Sequence, residues 1–283
     1  MLPRCPWWWA LSLLGCAAED AGPVGYDRIA EECPLVAPDG GPPVATGGVM
    51  QPVTEDCAEV VGRMFRFDWD SFGEVPGTFA DPQTPAELTI AGLLVLSGTQ
   101  AMTAAELREE PAPSRLSGWL GGAAVEGGVA SDDDAGPMIF EFAREAITTI
   151  EYNGITDYLM AYGEGGAVKV GDITGVNDDD DGFLSVASDG LGTLPVATVL
   201  LHEAAHGYYG GHDASCSWDE EGERCDATRE GAYGTGVWWL WIWLGRNAER
   251  LGDDAYLSTV TFWSGQCMMI DDVDSWLPCD EDP

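Results

Sequence analysis

The positions of the histidines limit what this chain can fold into more than any other feature. The chain has 283 residues and three histidines, and all three lie in one short stretch, as His202, His206 and His212. The apolar run from Thr193 to Tyr208 contains the first two, and its composition and start signals predict a helix. Residues four apart on a helix project from the same face, so His202 and His206 can both reach one metal ion.

Glu203 lies beside this pair rather than on its face. Successive residues of a helix are turned by about 100°, so the carboxylate misses the ligand positions but still reaches a water held by the metal. Residues 202–206 form the HExxH pattern, in which the glutamate serves as general base. The alternative is a core helix with two satisfied histidines, which would leave the Glu203 carboxylate buried without a partner.

The motif has uncharged neighbours at residues 199–201 and 207–208. This longer run resembles the active-site consensus of the zincin metallopeptidases. The resemblance implies a zinc-dependent peptidase that hydrolyses peptide bonds by a metal-activated water, with Glu203 as the catalytic general base. It also implies zinc bound by His202 and His206, and a peptide or protein as the substrate. Candidate donors to the oxyanion are Tyr208, Tyr209 and Tyr233.

His212 is the predicted third zinc ligand. The segment from residue 202 to 213 resembles the metzincin pattern HExxHxxGxxH, in which a glycine turns the chain so that a third histidine meets the metal. Tyr209 occupies the family's glycine position here. Gly210 is therefore the predicted turn residue, because glycine adopts positive φ readily.

Three carboxylates stay open as alternative third ligands. Glu230, 24 residues after the second histidine, resembles the glutamate ligand that gluzincins carry on a following helix. Asp213 and Asp226 are further oxygen donors. Catalytic zinc sites with three histidines and with two histidines and a carboxylate both occur. The metzincin resemblance also implies a methionine below the site, for which Met268 and Met269 are candidates.

The remaining pattern predicts a helix-rich α+β domain over residues 54–283, and with the resemblance a zincin-like domain with a small sheet and an active-site helix. Ala167–Val170 reads as a short strand between glycines, and it is predicted to be the edge that aligns an extended peptide. Apart from the histidine-bearing helix, helices are predicted over residues 54–66, 103–110, 114–120, 137–150, 232–250 and 254–269. The apolar run over residues 85–96 fits a buried helix or a strand, and Pro85 and Glu87 favour a helix start.

Residues 1–16 are predicted to be a signal peptide. A short basic start precedes an apolar run that is too short to span a bilayer as a finished helix. The run ends in Leu13-Leu14-Gly15-Cys16, which resembles the lipobox of bacterial lipoproteins. The resemblance implies lipidation at Cys16 and, since Ala17 follows, an exported outer-membrane lipoprotein of the cell envelope that touches the membrane through its lipid anchor only. An ordinary cleaved secretory signal is the alternative. Residues 17–53 are predicted to be a flexible tether.

The cysteines agree with export. Six remain after Cys5 and Cys16, and none has the CxxC spacing of a zinc knuckle, so disulfides in an oxidising compartment are predicted. The simplest pairing joins sequence neighbours: Cys33 with Cys57, Cys216 with Cys225, and Cys267 with Cys279.

The charge balance excludes one class of partner. The chain has 49 acidic and 12 basic residues, for a net charge of −37, and such a chain repels phosphate backbones, so nucleic-acid binding is not expected. One acidic turn, Asn177 to Gly182, resembles the start of an EF-hand calcium loop, but its twelfth position is Ser188 rather than glutamate. Weak calcium (Ca2+) binding and a solvated acidic loop are both open, and the second is favoured.

Two functions outside catalysis also remain open. One is a non-catalytic surface lipoprotein with a structural zinc site, in which four protein ligands close the metal shell. The other is a disulfide-braced binding scaffold that holds no metal. A water on the metal would distinguish the enzyme from the first, and bound zinc would distinguish it from the second.

Overall fold

The computed structural model of the protein describes residues 33, 52–79, 84–97, 113, 135–154, 160–162, 164–171, 193–212, 214–215, 224–247, 253–271 and 279. Several predicted features lie outside these residues. They are the signal segment with Cys16, the short helices over 103–110 and 114–120, the acidic turn at 177–182, and Asp213.

The described part of the chain is mostly helical. Its helices are α1 (Glu55–Met64), α2 (Trp69–Phe72), α3 (Pro85–Ser97), α4 (Ala135–Ala146), α5 (Thr193–Tyr209), α6 (Ala232–Asn247) and α7 (Asp253–Met268). Its strands are β1 (Thr149–Tyr152), β2 (Met160–Tyr162), β3 (Ala167–Val170), β4 (Ala214–Ser215) and β5 (Arg224–Cys225). The coarse prediction of a helix-rich α+β fold is therefore confirmed.

Helix α1 begins where the sequence predicts. The Thr54 hydroxyl accepts the backbone N–H of Cys57 at 3.2 Å, which satisfies one of the donors that a helix start leaves unpaired. A disulfide joins Cys57 to Cys33, as predicted, and it holds a residue of the predicted tether against this helix.

Helix α5, which carries the HExxH motif, is packed between other helices. It contacts α3, α4 and α6, and also strand β2. Glycines allow two of these helices to approach closely. A Cβ atom at Gly92 of α3 would lie 2.7 Å from Cγ1 of Val196, and one at Gly236 of α6 would lie 3.3 Å from Cγ2 of Thr198. This packing fixes the helix that carries the histidines from two sides.

The main sheet has three strands in the order β1-β3-β2. Strand β3 pairs parallel with β1, where Ile150 faces Val168, and antiparallel with β2, where Ala161 faces Lys169. The strand over Ala167–Val170 is confirmed, but its prediction as the edge that aligns a peptide is wrong, because it has a neighbour on each side. The sequence could not show this, since β2 is only three residues long.

The helix predicted over residues 137–150 is correct only in its first part. Helix α4 ends at Ala146, and β1 begins at Thr149. The chain leaves the helix because Thr148 finds partners far along the sequence: its N–H donates to the Gly166 carbonyl at 2.8 Å, and its hydroxyl to that of Gly165 at 2.7 Å. The apolar spacing of Ile147 and Ile150 fits a helix and a strand equally well.

The Trp-rich helix α6 belongs to the core, as predicted, since Trp238 and Trp239 are fully buried. Among the described helices, none has both the length and the apolar character needed to cross a membrane. Close to the C-terminus, Cys267 is bonded to Cys279 as predicted. Cys225 is also in a disulfide, and its predicted partner Cys216 lies outside the described residues.

Candidate metal centre

Helix α5 ends one residue after the predicted end, and the chain then turns sharply. The last helical residue is Tyr209, and Gly210 has φ of +87°, a conformation that glycine adopts without steric cost. The N–H of Gly210 still donates to the His206 carbonyl at 2.9 Å. If the helix continued, His212 would be rotated by about 240° net from the face of His206. Gly210 is therefore the turn residue, as predicted.

The turn brings His212 back to the two helix histidines. The ring centroids of His202 and His206 are 4.8 Å apart, and those of His212 are 5.3 Å and 4.6 Å from them. One ligand atom from each of the three residues lies within 4.8 Å of the others. The three histidines are therefore close enough to hold one metal ion.

The spacing of two ligand nitrogens fits a tetrahedral metal. Nε2 of His202 and Nε2 of His206 are 3.2 Å apart. Two ligands at about 2.0–2.1 Å from a tetrahedral zinc ion lie about 3.3 Å from each other. The two nitrogens therefore have the spacing that two ligands of one tetrahedral metal ion would have.

Hydrogen bonds place the lone pair of two of the histidines on Nε2, where it could bind a metal. His206 Nδ1 lies 2.6 Å from the Gly210 carbonyl oxygen, and a carbonyl only accepts, so Nδ1 carries the proton. His212 Nδ1 lies 2.7 Å from Oδ1 of Asp226, and it donates to that carboxylate. In each ring the lone pair is then on Nε2. A metal-binding histidine commonly donates its second N–H in this way.

Burial keeps the two helix histidines neutral. Burial lowers the pKa of His202 well below its ordinary value, and nearby His206 and His212 lower this pKa further. Burial also lowers the pKa of His206, and it outweighs the opposing effects of the Gly210 carbonyl and of Asp226. Neutral imidazole is the form that binds a metal. Nδ1 of His202 is buried and has no hydrogen-bond partner among the described residues.

Glu203 is a buried acid. The residue is 5% exposed, and Ala204 and Ala205, which follow it, are fully buried. It comes directly after His202 on α5, so the helix places it next to the ligand face and not on it. This position agrees with the predicted separation of a base from the metal ligands.

The structure describes two of the three alternative third ligands, Asp226 and Glu230. Asp226 contacts His212 through one oxygen and does not belong to the three-residue group that could hold a metal ion. Glu230 is described and is also outside that group; its side chain is 39% exposed and lies 3.9 Å from Arg229. Among the described carboxylates, neither rival therefore replaces His212.

Two of the tyrosines that are candidate oxyanion donors, Tyr208 and Tyr233, have different partners. The Tyr208 hydroxyl donates to the Phe142 carbonyl at 3.0 Å, and its ring stacks on Phe142, so it is engaged away from the cluster. The Tyr233 ring, in contrast, lies 4.4 Å from His202 and stacks on His212 at 4.6 Å. Met268 is 58% exposed, which leaves Met269 as the candidate for the methionine below the site that the metzincin resemblance implies.

Sequence reasoning missed the partnership of Asp226 with His212. The two residues are 14 apart, and the segment between them carries no periodic pattern. The sequence does place Asp226 directly after a cysteine and a few residues before a predicted helix. That position alone does not identify a histidine partner.

Comparison of the chain with known proteins finds no matching protein-family model, no matching curated protein and no matching solved structure.

Proposed function

We propose that this protein is a zinc-dependent peptidase of the zincin type. The observation that carries the proposal is the convergence of His202, His206 and His212 beside the buried Glu203. Two of these ligands come from one helix face and the third from the turn after it. Three protein ligands and one position left for water or substrate are the usual composition of a catalytic zinc site.

The donor set fits zinc and does not fit calcium or magnesium. Imidazole nitrogens suit zinc, copper, iron and nickel, whereas calcium and magnesium require oxygen ligands. When bound, zinc would supply Lewis acidity, which activates water and polarises a carbonyl group. The chain's own contribution is to hold the three imidazoles in place and to keep the two on the helix neutral.

Glu203 would act as the general base. Its carboxylate would accept a proton from the water that attacks the scissile carbonyl, and would then return it to the leaving amine. Tyr233, whose ring contacts two of the histidines, is the preferred candidate for a hydrogen-bond donor to the oxyanion.

The peptide-aligning edge is reassigned from β3 to β2. Of the described strands of the three-stranded sheet, β2 lies at one end of the order and also contacts α5. Among the described residues no strand pairs with the other side of β2, and an extended substrate could add there by main-chain hydrogen bonds. This would lay the peptide along the helix that carries the histidines.

Metal analysis and one substitution test the catalytic function. Purified residues 17–283 should bind zinc near one equivalent and cleave a general peptide substrate. Glu203→Gln should keep the zinc and the fold but lose on the order of 10² to 10⁴ in rate, because it removes the base and not a ligand. Glu230→Gln is a matched control that should retain wild-type turnover. Zinc binding without peptidase activity would favour the structural zinc site, and absence of zinc the scaffold.

Export as a lipoprotein is a separate proposal with its own test. The disulfides of the described residues support an oxidising compartment, and the lipobox resemblance supports lipidation at Cys16. Full-length protein expressed in a bacterium should partition into detergent, and Cys16→Ser should not. An unmodified mature N-terminus at another residue, measured by mass spectrometry, would contradict the proposal.

A further inference from the structure

Asp226 lies directly behind the third histidine of the cluster. Its side chain is 7% exposed, and both carboxylate oxygens accept a hydrogen bond. Oδ1 accepts from His212 Nδ1, and Oδ2 accepts from the backbone N–H of Tyr233, each at 2.7 Å. A buried carboxylate is costly to desolvate unless such bonds compensate for the loss.

The surroundings of Asp226 are built to hold it. Its N–H donates to the Met269 carbonyl at 3.0 Å, and its own carbonyl accepts from the N–H of Asp271 at 2.9 Å. The preceding residue, Cys225, is in a disulfide. A Cβ atom at Gly231 would lie 2.2 Å from Oδ2 of Asp226, so only glycine leaves room for the carboxylate. Backbone and side chain of Asp226 are thus both fixed.

We propose that Asp226 is the positioning residue of the third metal ligand. It holds the proton of His212 on Nδ1 and thereby turns the lone pair of Nε2 toward His202 and His206. The anionic acceptor also makes the imidazole a stronger donor to a metal. Asp226 lies outside the group of three residues whose ligand atoms lie within 4.8 Å of one another, so its role is that of a partner to His212 and not of a ligand. This role rests on the proposed metal site.

The same carboxylate supports His212 from a second direction. Through Oδ2 it fixes the first turn of α6 at Tyr233. The ring of Tyr233 stacks on His212 at an interplanar angle of 23° and meets His202 nearly edge-on at 68°. Asp226 therefore fixes the imidazole of His212 along its edge by a hydrogen bond and across its plane by the tyrosine ring.

Zinc affinity measured by competition with a chromophoric chelator tests this role. Asp226→Asn keeps the size of the side chain, but it removes the charge and replaces one acceptor by a donor. The affinity should fall by about 10- to 100-fold. Asp70→Asn is the matched control, because it removes an equal charge from an exposed side chain on α2, outside the contacts that hold Asp226. That variant should bind zinc as the wild type does.

A double-mutant cycle separates positioning from general loss of structure. If Asp226 acts through His212, Asp226→Asn should cost no further affinity in a chain that already carries His212→Ala. Equal losses in both backgrounds would overturn the proposal. Zinc binding by the wild type with an unchanged affinity in Asp226→Asn would also overturn it, without affecting the proposed peptidase.

One measurement needs no variant and no metal. Nitrogen-15 NMR of the histidine side chains in the metal-free wild type should show His212 as the Nδ1–H tautomer, with a slowly exchanging proton. The Nε2–H tautomer would overturn the proposal even if Asp226→Asn did not fold. Absence of zinc binding by the wild type would overturn the proposed function, and the role of Asp226 toward zinc with it.

Discussion

The histidine cluster has one part that is held locally and one that is held from a distance. His202 and His206 lie on α5, whose backbone bonds are internal and whose flanks contact α3 and α6. His212 lies on the turn after that helix, and its partner Asp226 is 14 residues further along. Asp226 is in turn paired with the backbone near the C-terminus, at Met269 and Asp271.

This difference indicates how each part should respond to change. The helix pair keeps its spacing as long as α5 forms, because the spacing is a property of the helix. The third histidine keeps its position only while the turn and the Asp226 contact both persist. We therefore expect substitutions of the helix ligands to act most strongly, and those around the turn to act in smaller, separable steps.

The largest expected effect is that of His206→Ala. It removes a ligand at the centre of the cluster, since the His206 ring is within 5 Å of both other rings. Zinc affinity should fall on the order of 10³-fold, because each ligand carries several kcal/mol of the total binding free energy. Equilibrium dialysis measures this, and far-ultraviolet circular dichroism should show that the helices persist. Retained one-to-one zinc would contradict the site.

A smaller loss is expected from His212→Ala, and almost none from Glu230→Ala. A turn can let water replace the missing imidazole, so we expect zinc affinity to fall on the order of 10²-fold. Glu230 is half-exposed and paired with Arg229, so its removal should cost at most a helix-start charge interaction of about 0.3–1 kcal/mol in unfolding free energy.

The pair of variants decides between the two resemblances that the sequence leaves open. Zinc affinities from the same chelator competition should rank His212→Ala well below Glu230→Ala. The reverse ranking would assign the third ligand to Glu230, as in the gluzincins. It would leave His212 as a residue at the rim of the site.

The sequence predicts the local part of the molecule and misses the part that depends on distant contacts. Helix starts such as Thr54, the turn at Gly210 and the HExxH face follow from short-range rules of capping and periodicity. The end of α4 does not, because Thr148 is drawn out of the helix by carbonyls of residues 165 and 166. The pairing of β3 on both sides depends on a three-residue strand that carries no pattern.

The residues of the site also divide into those that the sequence predicts from spacing and those that depend on distant contacts. The three histidines could be proposed as ligands from spacing and resemblance alone. Asp226 could be identified only as an oxygen donor, since its contact with His212 requires the chain between them to fold back. Tyr233 stood equal with Tyr208 and Tyr209 in the sequence, and only packing across α5 and α6 distinguishes it.

The smallest effect expected within the cluster and its turn is that of Gly210→Ala. Gly210 has φ of +87° and would have nothing within 4 Å of an added Cβ atom, so the cost is purely one of backbone conformation. A left-handed conformation costs an L-residue about 1–2 kcal/mol. The unfolding free energy in urea should fall by about 1 kcal/mol after the gain from a less flexible unfolded chain.

Gly211→Ala is the matched control, because Gly211 also has open space at its Cβ position but no positive φ. Its unfolding free energy should stay the same or rise by about 0.4–1 kcal/mol. If the turn positions His212, the loss of about 1 kcal/mol in Gly210→Ala should also weaken zinc binding by roughly fivefold, since 1.4 kcal/mol corresponds to a factor of ten. The spacing of His206 to His202 should not change. Equal behaviour of the two variants would mean that the bend at Gly210 is not what brings the third histidine to the helix pair.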